Sequence, residues 1–278
     1  WDPNSAGTLD RLRAAATPSL WAEIGEPEAD IGTVRAAVDR FVTRAVVHVL
    51  RTKKPRLLFA HFINVDDAQH KRGRDGAREA LKVLDGQLAR VLEAVDDQTL
   101  VLVVGDHGFV DVERNVNPNA LLRDAGYVSV VEGKIAGWRA LGRSSGGSMA
   151  IYVKDPKDVR PVRELLRGKS EGMYDVLERP ELDTLGYDPA AALALEPRGS
   201  WAFSGALTER FVEGVPTVKG NHGQRPTRPG LATGFIAAGP GVKAGTLIER
   251  MRLVDVAPTI AKALGLELKD VEGEPVLR

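Results

Sequence analysis

Two apolar runs of strand length, separated by a helical pattern, constrain the fold of this chain most. The runs lie at residues 56–63 (RLLFAHFI) and 99–104 (TLVLVV), and apolar residues recur at helical spacing over 77–95. The polar residues 64–73 read as a loop. A crossover helix lets the two strands run parallel, so both should end at one sheet edge. We therefore expect an α/β fold with a mostly parallel, doubly wound sheet that binds ligands at that edge.

The remaining chain predicts a core interrupted by an insertion. An amphipathic helix is expected over 31–49, with Asp30 as its N-cap. Residues 233–238 read as a strand that returns to the main sheet, and Asp255 should cap a closing helix. Residues 110–220 have shorter, mixed patterns with many prolines, which predicts a smaller inserted α+β lobe.

These patterns predict two domains. Residues 1–109 and 221–278 should form the α/β core, and residues 110–220 should form a cap or substrate lobe. This lobe should include a short helix at 119–125 and a strand at 149–153.

Charge and composition exclude several classes of protein. The chain has 38 Lys and Arg residues against 38 Asp and Glu residues, so it lacks the basic excess typical of duplex nucleic-acid binders. It has no cysteine, which excludes a disulfide framework, a thiolate metal site and a Cys nucleophile within these residues. No apolar run is long enough to predict a membrane span.

Aspartate and histidine concentrate at three places. Asp66 and His70 follow the first apolar run, Asp106 and His107 follow the second, and His222 lies in a loop flanked by glycines. Carboxylate oxygens and imidazole nitrogens suit Zn, Mn or Fe. Because the two strands should end at one edge, these side chains are candidates for a two-metal site.

Alternatives remain open for several of these residues. Asp67 has nearly the same spacing to His70 as Asp66 and fits the metal role equally well. His48 and His61 lie within a predicted helix and a predicted strand, which favours packed, structural histidines.

Two further polar segments have both a functional and a structural interpretation. Lys71 and Arg72 fit a phosphate contact, although a solvated loop is the simpler explanation. The Ser/Gly run at 144–148 fits an anion cradle made of backbone N–H groups, although a plain loop before a strand explains it as well.

Three motifs in order resemble those of a known superfamily. They are residues 62–73 (FINVDDAQHKRG), 103–108 (VVGDHG) and 220–223 (GNHG), followed by 235–245 (FIAAGPGVKAG). They resemble the alkaline phosphatase superfamily, and within it the type I phosphodiesterase/nucleotide pyrophosphatase branch. The end of the chain, residues 255–266, is similar to the usual ending of these proteins.

The resemblance implies a site with two divalent metal ions, usually zinc, with Mn or Fe as alternatives. Asp66, His70 and His222 match the ligands of one metal, and Asp106 and His107 match two ligands of the other. It also implies an alkaline-phosphatase-like sheet, a small phosphorylated substrate, and a periplasmic or secreted location.

The resemblance further implies hydrolysis of phosphodiester or pyrophosphate bonds through a Ser or Thr nucleophile. Residues 1–54 contain no match to the strand and helix that carry this nucleophile in the superfamily. We therefore expect the nucleophile to lie outside this chain and the chain alone to be inactive. The alternatives are another reaction of the superfamily (phosphomonoesterase, phosphonate hydrolase, mutase or sulfatase) and a catalytically silent metal-binding module.

Overall fold

A computed structural model describes residues 8–28, 30–31, 34–205, 210–212, 214, 216 and 218–277. In chain order its elements are α1 (Thr8–Ala15), α2 (Pro18–Ile24), α3 (Arg35–Thr52), α4 (Asn64–Leu92), β1 (Val101–Val104), β2 (Val110–Asp111), β3 (Arg114–Val116), α5 (Pro118–Asp124), β4 (Val128–Val131), β5 (Lys134–Trp138), β6 (Ala140–Ser144), β7 (Met149–Val153), α6 (Pro156–Gly168), β8 (Tyr174–Glu178), α7 (Arg179–Thr184), β9 (Leu193–Pro197), β10 (Trp201–Phe203), β11 (Gly220–Asn221), β12 (Phe235–Ala238), a 3-10 helix (Leu253–Asp255) and α8 (Val256–Ala263).

The chain divides into two compact units. Unit 1 consists of residues 1–68, 76–106 and 233–278, and unit 2 consists of residues 69–75 and 107–232. Residues 206–209, 213, 215 and 217 of the predicted lobe lie outside the described residues. The role of residues 110–220 as a substrate lobe stays a prediction.

Unit 1 is mainly helical in its N-terminal part. The buried face of α3 carries Val38 and Phe41, which pack with Trp21 of α2. The helix begins later than predicted, because Val34 holds its N-cap position. The prediction of Asp30 as N-cap is wrong: it lies too far ahead of Arg35, and its carboxylate instead pairs with Arg40 at 3.2 Å.

The predicted strand at 56–63 does not form. Among these described residues Phe59 is 76% exposed, and no strand pairs with them. An apolar run indicates that residues favour burial, but a strand also needs a neighbour to accept its backbone hydrogen bonds. The prediction of a parallel strand–helix–strand unit is therefore wrong.

The predicted loop at 64–73 is instead the first part of α4. The carboxylate of Asp39, fully buried on α3, accepts hydrogen bonds from Ile63 N at 2.9 Å and Asn64 N at 3.3 Å. These are N–H groups that a helix start leaves unpaired, so Asp39 caps α4 from another element. Burial raises the pKa of Asp39, although both hydrogen bonds oppose the rise.

Strand β1 forms where predicted and pairs antiparallel with β12, from Val101 opposite Ala238 to Val104 opposite Phe235. The strand predicted within residues 233–238 is thus confirmed. Its pairing with β1 is antiparallel, whereas a parallel sheet was expected. Asp255 occupies the predicted N-cap position of α8, but its side chain makes no capping hydrogen bond to that helix; its carboxylate instead accepts from Arg252 N at 2.7 Å, at the start of the 3-10 helix. No helix in the described part of the chain combines the length and apolarity that a membrane span needs.

Unit 2 is built around a four-stranded sheet with strand order β6-β7-β9-β8. All its neighbours are antiparallel. The sheet buries Met149, Ile151 and Leu195 against Leu122 of α5 and Leu166 of α6. The helix predicted at 119–125 and the strand predicted at 149–153 are confirmed as α5 and β7.

The expectation of one mostly parallel, doubly wound sheet is wrong for the described residues. Four further sheets have two strands each, and only β3 and β10 pair parallel. Hairpins such as β4–β5 join neighbouring strands through short turns, and this local connection produces antiparallel pairs. The short strand β11 matters most for the site, because it pairs with β2 and leads directly into His222.

Candidate metal centre

His70 is fixed by a kink in α4. Gly73 has φ 62° and ψ −147°, so the helix is interrupted one turn after His70. A regular helix would bond the His70 carbonyl to Arg74 N. Here that carbonyl accepts from Lys219 N at 2.7 Å, and the His70 ring contacts Gly220 O. The kink therefore lets the segment before His222 hold His70 at both its backbone and its ring.

The hydrogen bond to Gly220 determines which ring nitrogen of His70 can bind a metal. His70 Nδ1 lies 2.9 Å from Gly220 O, and a carbonyl oxygen can only accept, so Nδ1 carries the proton. Nε2 then presents its lone pair, and it lies 3.2 Å from Nε2 of His222. Such a backbone partner is the usual means of orienting a metal-binding histidine.

His107 joins the same group. Its ring stacks on that of His222 with centroids 3.6 Å apart and an interplanar angle of 11°. Its Nδ1 lies 3.2 Å from Gly108 O, so Nε2 again keeps a lone pair. We call His70, His107 and His222 the histidine cluster; all three belong to unit 2.

Phe109 packs against every member of the cluster. Its ring centroid lies 4.8 Å from that of His70, 5.1 Å from that of His222 and 5.5 Å from that of His107. Packing against a side chain without polar atoms restricts the rotamers of the three imidazoles, which is a requirement of a preorganised site.

The loop at 144–148 holds the backbone of His222. Gly147 N donates to His222 O at 2.6 Å, and Asn221 Oδ1 accepts from His222 N at 2.9 Å. Gly147 is buried, and a Cβ built on it would lie 2.4 Å from His222 O. The sequence favoured a plain loop at residues 144–148, whereas in the structure this loop contacts the backbone of His222.

The aspartates differ in their surroundings. Asp66 lies in the first turn of α4, four residues before His70 and so on the same side of the helix. Asp67 instead pairs with Arg35 of α3 at 3.3 Å, which favours Asp66 over Asp67 as the metal-binding residue. Asp106 follows β1, is exposed, and is joined directly to His107.

The two remaining histidines, His48 and His61, do not belong to this cluster. His48 Nε2 lies 2.8 Å from Glu23 Oε2, in keeping with a structural role. The prediction of a packed His61 is wrong: this residue is exposed, because the strand expected to bury it does not form.

The donors suit a divalent metal ion. His107 and His222 of unit 2 offer two imidazoles, a ligand type that zinc binds. His70 adds a third imidazole whose Nε2 keeps its lone pair.

The profile of a family described as "Type I phosphodiesterase / nucleotide pyrophosphatase" matches residues 14–225, well over half of the chain. The chain belongs to this family. Its members are metal-dependent enzymes that hydrolyse or transfer phosphoesters. The predicted membership of the alkaline phosphatase superfamily is confirmed.

Solved structures similar to this family member show its fold. Human ectonucleotide pyrophosphatase/phosphodiesterase 5 is 17% identical with a TM-score of 0.65, covering 84% of this chain and 60% of its own. Phosphonoacetate hydrolase from Sinorhizobium meliloti is 18% identical with a TM-score of 0.53, covering 78% of this chain and 53% of its own. The fold is therefore of the alkaline-phosphatase-like α/β type.

A curated relative is similar in sequence over a shorter stretch. GPI ethanolamine phosphate transferase 2 from Eremothecium gossypii is 32% identical over 95 residues, which is 34% of this chain and 12% of the relative. The chain thus spans about an eighth of that protein's length, and a little over half of the solved structures it matches.

Three residues that shape the site were missed in the sequence. Phe109 follows the Asp-His-Gly motif by one position, and its apolar side chain gave no signal of contact with distant histidines. Gly147 N donates to the His222 carbonyl across 75 positions of sequence, which no local pattern reveals, and the side chain of Asn221 accepts from the adjacent His222 N.

Proposed function

We propose that this chain contributes the metal-binding residues of an enzyme that cleaves phosphodiester or pyrophosphate bonds. The observation that carries the proposal is the histidine cluster, in which three imidazoles from separate parts of the sequence meet. Membership of the phosphodiesterase family supports the same chemistry.

Asp66, His70 and His222 are assigned to one metal ion, and Asp106 and His107 to a second. His70 and His222 support the first assignment, because their Nε2 atoms lie 3.2 Å apart and so bring two candidate donor atoms to one place. Zinc is the proposed metal, with Mn or Fe as alternatives. When bound, such ions stabilise negative charge on phosphoryl oxygens as Lewis acids.

Backbone groups of this chain orient the candidate donor side chains. The Gly220 carbonyl keeps the proton of His70 on Nδ1, and the Gly147 N–H restrains the His222 backbone. A site fixed before substrate arrives pays no reorganisation cost during the reaction. The reaction needs a Ser or Thr nucleophile, and the resemblance assigns that role to no residue of this chain.

A transferase is the second candidate, favoured by the similarity to GPI ethanolamine phosphate transferase 2. Hydrolase and transferase share attack of the nucleophile on phosphorus, which expels an alcohol from a phosphodiester or a phosphate from a pyrophosphate. They differ in the second step, in which water or a second alcohol attacks the phosphorus and releases the nucleophile of the enzyme. Adding an alcohol acceptor and measuring its phosphorylated product therefore distinguishes the two.

The test of the proposal is metal content. We expect His222→Ala to lower bound zinc in elemental analysis of the purified chain, because it removes one donor from the cluster. His61→Ala is the matched control, since this exposed histidine lies outside the cluster and its removal should leave zinc content unchanged. Equal zinc content in the wild type and His222→Ala would contradict the assignment.

A further inference from the structure

Helix α4, whose first turn carries the candidate ligand Asp66, begins without a cap from its own sequence. Ile63 occupies the N-cap position, and its side chain has no oxygen that could accept a hydrogen bond. No strand among the described residues pairs with the preceding segment, residues 56–63, and so no sheet holds it in place. The position of the first turn of α4 must therefore be set by another element.

Helix α3 supplies the missing cap through Asp39. This side chain is fully buried, and its two carboxylate oxygens accept from Ile63 N at 2.9 Å and from Asn64 N at 3.3 Å. The Ile63 side chain also packs against the apolar cluster that contains Val38 and Phe41 of α3. The backbone and the side chain of the N-cap residue are therefore both held by α3.

A second contact from α3 holds the same turn. Arg35 lies one turn before Asp39 on the same side of α3, and its Nε lies 3.3 Å from Asp67 Oδ1. The two side chains are only 18% and 21% exposed, so water screens this pair less than a surface ion pair. Asp66 lies between the anchored positions Asn64 and Asp67, and its backbone is fixed by both.

The cap from Asp39 also replaces a bond that Asp66 could otherwise make. Counted from the N-cap residue Ile63, Asp66 is the third residue of the helix. An acidic side chain at this position can reach back to the N–H group of the N-cap residue, as in a capping box. Here the N–H group of Ile63 donates to Asp39 instead. The start of α4 therefore does not need the Asp66 carboxylate.

We propose that Asp39 is a positioning residue of the metal centre, because it caps α4 in place of Asp66 and so lets the Asp66 carboxylate bind the metal ion. The inference rests on the proposed function, in which Asp66 is a ligand of one ion. Groups that orient a ligand through hydrogen bonds contribute to metal affinity without touching the metal. Asp39 lies outside the motifs that carry the family resemblance, which begin at residue 62.

The first test is the zinc affinity of the full chain, measured by competition with a chromophoric chelator. Asp39→Ala should weaken zinc binding about tenfold, because Asp66 then turns to the N–H group of Ile63. Asp39→Asn should weaken it less, because the amide oxygen still accepts one of the two hydrogen bonds. Val46→Ala controls for lost stability: this buried residue lies two turns further along α3, and the variant should bind zinc as tightly as the wild type.

A double-mutant cycle shows whether Asp39 acts through Asp66. In an Asp66→Ala background, Asp39→Ala should change zinc affinity by less than about twofold, because the ligand that it positions is gone. An equal loss of affinity in both backgrounds would overturn the proposal. The same holds if Asp39→Ala binds zinc as tightly as Val46→Ala.

Unfolding in urea with EDTA tests the same role without metal. In Asp39→Ala, Asp66 should become the substitute cap, so Asp66→Ala should lower the urea midpoint more in that background than in the wild type. Equal shifts in the two backgrounds would overturn the proposal. If His222→Ala loses zinc while Asp39→Ala does not, only this inference fails; if the wild type binds no zinc, the proposed function fails with it.

Discussion

Replacing Gly147 with alanine tests whether the 144–148 loop positions a metal ligand. The added Cβ would lie 2.4 Å from His222 O and 2.4 Å from Gln224 Cδ, where ordinary contacts begin at 3.4 Å. The His222 carbonyl must then move by about 1 Å, several times the tolerance of about 0.2 Å on metal–ligand distances. The hydrogen bond from Gly147 N at 2.6 Å is strained by the same shift.

Two consequences should be measurable. Zinc affinity should fall about 10- to 100-fold, the usual effect of disturbing a group that orients a ligand. The free energy of unfolding should fall by about 1–3 kcal/mol, the usual cost of overpacking a buried site. Competition with a chromophoric zinc chelator measures the first quantity, and denaturant unfolding followed by circular dichroism measures the second.

Gly86→Ala is the matched control, because Gly86 lies in α4 and an added Cβ meets nothing within 4 Å. It should leave zinc affinity unchanged and raise stability by up to about 1 kcal/mol, the helix preference of alanine over glycine. Zinc affinity in Gly147→Ala within twofold of that in Gly86→Ala would refute the positioning role.

The double variant Gly147→Ala/Gln224→Ala separates the two clashes. The buried Gln224 side-chain amide has no hydrogen-bond partner among the described residues, so its truncation relieves crowding without breaking a hydrogen bond. Stability should partly recover, whereas zinc affinity should stay low because the contact with His222 O remains. Full recovery of zinc affinity would show that Gln224, and not the His222 backbone, transmits the effect.

Two other predictions concern the start of α4 and the source of the nucleophile. Burial raises the pKa of Asp39, so the folded chain holds this proton more tightly than the unfolded chain, and the Asp39 contribution to stability falls as pH rises through the ordinary aspartate range. Asp39→Asn removes one hydrogen-bond acceptor at the start of α4, and it also removes this pH dependence. The melting temperature of the variant should therefore lie below that of the wild type by an amount that shrinks between about pH 4 and pH 7. A difference that stays constant over this range would contradict the assignment. We also expect the zinc-loaded chain to show no turnover of an aryl phosphodiester; if turnover appears, its loss in Ser145→Ala/Ser148→Ala would identify a nucleophile in the loop beside His222.

The sequence alone determined the family and supplied the candidate metal ligands. Asp66 and His70 are four positions apart, and Asp106 and His107 are adjacent, so their order and spacing are local properties of the sequence. The family match confirms the resemblance that these motifs predicted. Short elements such as α5 and β7 were also predicted, because their signals lie within a few neighbouring positions.

Only the tertiary structure decided how distant segments meet. The apolar run at 56–63 has the composition of a strand but no strand pairs with it, and the polar run at 64–73 becomes helical with a cap supplied by Asp39. His70 and His222 are separated by 152 positions, yet their Nε2 atoms lie 3.2 Å apart. Hydrogen-bond partners and ring contacts across such separations depend on the path of the whole backbone. That path is the physical reason why the sequence could name the candidate ligands but not the contacts that the 144–148 loop and Phe109 make with them.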